Sequence, residues 1–562
     1  MKRILLTSML AAGLCCLPAC QNFFDPDYST TLDGNSYMQE SSELYSGYLG
    51  VITKLQAVGD KAIYLTDTRA EMLEPTGNCD ELTDLYNYEP DLAGNSYADP
   101  AKYYDLVIAC NDYLAKAKAY REAHSGSVDP DHYQGLVSCI VRLKTWTYFT
   151  LARIYGQAVW FDDPMLTFTD LGQFPVLNLQ QTLDRCDAYL EEGFDGIDGQ
   201  HNMDWAEWIL TSATDDQSSG NYYNWDKMVP DYFVLAADIA LWQGRYQQAA
   251  DLVLNRMNEM FESIELRTSY VTWCCGGSYS SSFSKFFDNT APSSLTTVDV
   301  IVYNYANGQS NQLLWHFYNN YMLRPSEAGV NRYDDFEFNP RLETKTDGRR
   351  NVYLGQSGDK RYFHKYRRLS GSPRSNVKQD DVHIYLYRSA ELYFILAEAM
   401  NHLGRFREAY SLINDGVSKV YVNEGLLYEG FSDQWTTKTS RGARSYADSG
   451  IRGIHTSYAR DMWYPQNAAD SARVAGDVQF RDSICRYNDM EILKEILLEM
   501  PGEGKTYNAM VRMARCWNDY GIVADNVCPK YTDEAKRQTV RQRILDGGYF
   551  VPWDLEYQST NH

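Results

Sequence analysis

Arg388-Ser389-Ala390-Glu391-Leu392-Tyr393-Phe394-Ile395-Leu396-Ala397-Glu398-Ala399-Met400-Asn401-His402-Leu403-Gly404-Arg405-Phe406-Arg407-Glu408-Ala409 is the stretch whose reading decides the fold. It reads as a helix over 389–403, a glycine just past its end, and a second helix over 406–420. The same pattern stands 160 residues earlier, over 230–261. There Ala237-Asp238 aligns with Ala397-Glu398, and Gly244-Arg245-Tyr246 with Gly404-Arg405-Phe406. Ala249 then aligns with Ala409, and Leu252-Val253 with Leu412-Ile413. Helix, glycine turn, aromatic, x-x-Ala, helix is the tetratricopeptide pattern. The small alanine lets two antiparallel helices approach, and the aromatic fills the space beside the turn.

Working outward, Tyr45, Tyr48, Leu49, Ile52 and Leu55 follow helical spacing. Further helices are predicted over 103–123, 131–155, 179–194, 482–498 and 507–517. Two matched copies are clear, and the helix ending before Gly156 and the pair over 482–517 are candidates for others. The fold class is therefore mostly α, a tetratricopeptide-like helical scaffold. Long stretches over 74–100, 202–228, 268–345 and 428–477 carry no helical periodicity. They are rich in Trp, Tyr, Asn and Gly rather than low in complexity, so they read as ordered irregular segments of the kind that carry function.

The first residues have a separate meaning. Lys2 and Arg3 precede an uncharged, mostly apolar run from Ile4 to Leu17, of signal-peptide rather than membrane-spanning length. Leu17-Pro18-Ala19-Cys20 then looks like a bacterial lipobox, with Cys20 the lipidated residue. The expected organisation is a signal peptide over 1–19, a tether over 20–35 and one domain over 36–562. Elsewhere no apolar run is long enough for a membrane span.

The formal net charge of −23 would repel phosphate backbones, so nucleic acid is a poor partner. Forty-five tyrosines and twelve tryptophans make the chain unusually aromatic. A flat ring offers its face to the C–H face of a sugar and its hydroxyl to sugar hydroxyls. Twelve cysteines show no C-x-x-C spacing, and nine scattered histidines show no H-E-x-x-H. Neither a metal site nor a cofactor is expected. Cys110 and Cys139 read as small core residues. Glu503-Gly504-Lys505-Thr506 resembles the end of a phosphate-binding loop. The position of that loop's first glycine is Glu499, however, and a helix rather than a strand precedes it, so nucleotide binding is rejected. No nucleophile elbow is present, and every familiar enzyme class misses its motif.

Together the motifs resemble those of the SusD/RagB family of Bacteroidetes outer-membrane lipoproteins. Tyr387 to Ala399 is similar to the family's R-x-A-E-x-x-L-x-x-A-E-A helix. Glu503-Gly504-Lys505-Thr506-Tyr507 with Val511-Arg512-Met513-Ala514-Arg515 resembles its E-G-K stretch, with Ala509 where an Asp is usual. Tyr549-Phe550-Val551-Pro552-Trp553-Asp554 and Glu556 resemble its closing motif, with Trp553 for the usual Ile. The resemblance implies a single, mostly helical body of about four tetratricopeptide-like helix pairs, no catalysis, and a nutrient-binding lipoprotein at the outer membrane, held there by lipid and facing the exterior. It would capture an oligosaccharide or polysaccharide and deliver it to a SusC-like TonB-dependent transporter. A same-fold binder of peptide or another nutrient is the alternative, and a secreted glycan-cleaving enzyme a further one.

Ligand contacts in the family usually come from the segment after the first long helix and from the irregular middle. Those regions here hold Asp67, Arg69, Asp84 and Asn87, then Trp273 and Tyr279, then Trp315, Tyr318, Tyr321 and Arg324. Trp273 leads this set because Gly276-Gly277 beside it would let backbone approach a ligand.

Overall fold

The computed structural model describes residues 38–165, 174–197, 228–262, 297–303, 313, 320–340, 347–363, 365, 382–414, 416–417, 428–432, 435, 450–452 and 459–553. Helices dominate these residues, and the strands form four antiparallel two-stranded pieces.

Both copies of the repeat are helix pairs: Tyr232–Trp242 with Tyr246–Glu262, and Ser389–His402 with Phe406–Ile413. Their turns match bond for bond. Arg245 N–H donates to the Ala240 carbonyl at 2.9 Å, and Arg405 N–H to Met400 at 2.8 Å. Gly244 and Gly404 stand at φ 74° and 73°, the left-handed conformation this helix end requires. Ala249 and Ala409 are fully buried where the helices meet. Although 160 positions separate the copies, Tyr246–Glu262 packs directly on Ser389–His402. On one side Pro130–Tyr155 packs on Leu179–Glu191, which packs on Tyr232–Trp242. On the other, Ser389–His402 packs on Val478–Glu499, which packs on Thr506–Cys516. Four helix pairs thus follow one another in space.

Pro130–Tyr155 begins at a strong N-terminal signal. Asp129 accepts from the N–H groups of Asp131 and His132, and Pro130 occupies the first turn. From Tyr133 onward nearly every residue of this helix is buried, Cys139 included; Cys110 of Ala101–Ala123 is buried too.

Three expectations change. The predicted helix over 406–420 stops at Ile413, because Leu412 and Ile413 give their carbonyls to the N–H groups of Ile451 and Arg452, both at 2.9 Å. The stretch over 74–100 contains the helix Asp80–Tyr86, whose Leu82 and Leu85 are buried and whose Asp80 and Glu81 favour its N-terminus. The stretch over 428–477 contains Ala468–Gly476, capped by the Asn467 side chain. Among the described residues no helix is long and apolar enough to cross a membrane.

Candidate functional site

Far-separated strands bring the candidate site together. Leu73–Pro75 pairs antiparallel with Leu323–Pro325, setting Glu74 opposite Arg324. The hairpin Leu354–Ser357 and Lys360–Phe363 packs against the second of these strands. Beside them, Asp533 caps the helix Glu534–Arg543, and Cys528–Lys530 forms a short 3-10 turn. Between these elements lies an open groove of about 780 Å³.

The groove is polar with aromatic patches. Tyr321 stands on its wall, partly exposed, at φ 50°. Its hydroxyl accepts the Arg361 N–H at 3.0 Å, and the Lys360 ammonium lies 5.2 Å from its ring. Arg324 is exposed and pairs with Glu74 at 2.7 Å; Arg361 pairs with Glu327. Tyr86 and Tyr531, with ring centres 4.7 Å apart, line its more buried part. Lys530 lies 4.4 Å from the Tyr86 ring and donates to the Thr68 carbonyl at 2.8 Å. Burial pushes the Lys530 ammonium down to about 7, against the opposing pull of Glu71 and Glu74. Paired charges of both signs around the partly exposed Tyr321 ring supply many donors and acceptors without a strong net field. Such a surface suits a neutral, hydroxyl-rich molecule.

Of the sequence-predicted residues, Tyr321 and Arg324 meet in this groove. Cys20, Trp273, Tyr279, Trp315 and Tyr318 lie outside the described residues. Asp67 and Arg69 are instead enclosed. The Asp67 carboxylate accepts the N–H groups of Gly502 at 2.9 Å and Gly504 at 2.5 Å. The backbone N–H groups of the glycine-rich segment therefore do cradle a carboxyl group, and it is a side chain of the same protein. Burial raises the Asp67 carboxyl to about 7, against those two N–H groups. Arg69 lies 4.3 Å from the Tyr88 ring and 5.5 Å from Tyr507, and donates to the Gly548 carbonyl. These two residues serve the scaffold, because burial leaves them no face for a ligand. Asn87 ends the helix Asp80–Tyr86, and its carbonyl accepts from Arg543 at 2.8 Å; it does not line the groove.

The sequence reading missed Tyr86, Arg361, Lys530, Tyr531 and Lys536. Their only local signal was aromatic beside basic, as in Lys530-Tyr531, a pattern too common to single out. Nor did it anticipate that His402, Cys485 and Asp489, scattered in sequence, would place ligand atoms within 4.8 Å of one another.

The motif residues pair with each other in the core. Arg388 donates to Glu503 at 2.7 and 2.9 Å and to Glu499 at 2.9 Å. Glu391 pairs with Lys505 at 3.0 Å, and Glu398 with Arg512 at 2.6 Å. Burial would raise Glu503, but Arg388 and Lys365 outweigh it and hold the carboxyl below its ordinary value.

The sequence matches no family model and no curated protein. Solved structures do match. A SusD superfamily protein of Bacteroides thetaiotaomicron covers 92% of this chain and 95% of its own, at a TM-score of 0.55 and 16% identity. Another, from Bacteroides vulgatus, covers 90% and 93% at a TM-score of 0.56 and 11% identity. The chain has the SusD fold. A Bacteroides vulgatus protein named only provisionally as sugar-binding covers 84% and 86% at a TM-score of 0.50 and 15% identity. Within this SusD fold, the residues that make the sequence recognisable are the buried ion pairs, while the groove is built from residues outside every motif.

Proposed function

We propose that this SusD-fold protein is a cell-surface glycan-binding lipoprotein that captures an oligosaccharide or polysaccharide and hands it, unaltered, to a SusC-like TonB-dependent transporter. The observation that carries the reading is the open groove around Tyr321 and Arg324 on a SusD fold. Stacked rings and a few hydrogen bonds hold a sugar weakly, and weak binding releases quickly, which suits delivery to a transporter. Trp273, Tyr279, Trp315 and Tyr318 are proposed to extend the ring surface. Cys20 is proposed to carry the lipid that keeps the protein at the outer membrane, facing outward. The acidic charge of the chain favours a neutral ligand over an anionic one.

The test is an array of neutral glycans, anionic glycans and peptides, probed with the purified protein. Binding concentrated on neutral glycans, with each ligand recovered intact, is the expected result. Binding confined to peptides would replace the glycan with the alternative nutrient, and cleaved product would make the protein an enzyme.

A further inference from the structure

We propose that His402, Cys485, Asp489 and Cys516 form a binding site for one divalent cation of the zinc class, built from three helices of the scaffold and independent of the ligand groove. His402 is the last residue of Ser389–His402, and Cys516 the last of Thr506–Cys516. Cys485 and Asp489 stand one turn apart on a single face of Val478–Glu499. These ends converge on the His402 imidazole. Its Nε2 lies 2.8 Å from Asp489 Oδ2 and 3.9 Å from Cys516 Sγ. One ligand atom each from His402, Cys485 and Asp489 lies within 4.8 Å of the other two; Cys516 stands at the edge of this trio, its sulfur 3.1 Å from the Tyr246 hydroxyl, and turns inward to become the fourth ligand.

Imidazole, thiolate and carboxylate are the donors of tetrahedral zinc sites, and softer sulfur disfavours magnesium or calcium. Zinc bond lengths of about 2.0 Å to N or O and about 2.3 Å to S put N and O roughly 3.3 Å apart, and N and S roughly 3.5 Å. The His402–Asp489 separation opens, and the His402–Cys516 separation closes, by about half an ångström or less to reach those values. The cation takes the place of the proton between His402 and Asp489. The thiol protons of Cys485 and Cys516 leave to solvent as the two metal–sulfur bonds form.

The surroundings are those of an oriented site. Asn401 donates to Asp489 Oδ1 at 2.7 Å, and Trp517 donates to Oδ2 at 2.8 Å, fixing the carboxylate. The Tyr246 ring stacks on the imidazole at 3.9 Å and 6°, fixing its plane. Cys485 and Asp489 are buried, whereas Cys516 is exposed and gives the cation a way in. Bound there, the ion would tie together the third and fourth helix pairs.

The full chain, reduced and stripped of metal, is titrated with Zn(II) and separately with Co(II). One equivalent should bind, raise the thermal midpoint, and with Co(II) give intense thiolate-to-metal charge-transfer absorption. Cys485→Ser and Cys516→Ser should each weaken Zn(II) binding by at least about tenfold and diminish that absorption. Should Cys485→Ser fail to fold by circular dichroism, the exposed Cys516→Ser decides alone. A folded wild type without charge-transfer absorption, or absorption and affinity unchanged in the folded cysteine variants, overturns the proposal.

Discussion

Arg388 shows why single motif residues matter here. Its guanidinium is buried and bonded to two carboxylates and a backbone carbonyl. Taking it away leaves Glu499 and Glu503 as buried anions with fewer partners. Arg388→Ala should therefore destabilise the protein by about 3–5 kcal/mol, read by urea unfolding. A loss under about 1 kcal/mol would mean the network is replaceable. Asp67 predicts a pH signature. Its folded-state pKa, about 7, stands above the ordinary 3.8, so the folded chain takes up its proton more readily than the unfolded chain. Its contribution is fully present below about pH 4 and is lost as pH rises through 7. Relative to Asp67→Asn, wild-type stability should fall across that window by an amount on the order of 4 kcal/mol. A flat difference curve from unfolding at several pH values would contradict this.

At the scale of elements, glycine turns discriminate between backbone strain and packing. Gly404 stands at φ 73° with open space where a side chain would begin. Gly156, at φ 72°, ends Pro130–Tyr155, and an added Cβ would sit 2.4 Å from the Phe550 ring. Gly404→Ala should cost about 1 kcal/mol of stability from strain alone. Gly156→Ala should cost an additional 1–3 kcal/mol, roughly, because the aromatic must move. Equal thermal shifts would show that Phe550 yields freely. The helix pairs were legible in the sequence because a glycine, an aromatic and an alanine at fixed spacing report a local requirement. The groove was largely illegible. Glu74 meets Arg324 across 250 positions, and a three-residue pairing leaves no periodic trace. Tyr321 and Arg324, singled out as an aromatic and a cation in irregular sequence, both line the groove. Asp67 and Arg69 carried the same polar signal and proved internal, because sequence does not distinguish a carboxylate facing solvent from one facing Gly502 and Gly504.

Across the whole molecule, the N-terminal and C-terminal segments close on each other. Asp67 holds Gly502 and Gly504, Lys530 holds Thr68, and Val551 N–H donates to Ile154 at 2.9 Å. These ties set Tyr86 against Tyr531 and so form one side of the groove. The molecule divides its residues accordingly: paired charges inside hold the frame, and the proposed ligand groove is lined by rings and charges outside every motif. With a net charge of −23, a neutral glycan should bind with affinity nearly independent of ionic strength. Affinity that changes steeply with salt, in either direction, would point to a charged ligand.

The most direct measurement is calorimetric titration of the best array glycan into wild type, Tyr321→Ala and Arg324→Ala, with the sugar recovered and analysed afterwards. Each variant should bind at least about tenfold more weakly, a loss of about 1.4 kcal/mol, with its thermal midpoint unchanged and the glycan intact. Undiminished affinity in both variants, or a glycan returned in pieces, would contradict the account.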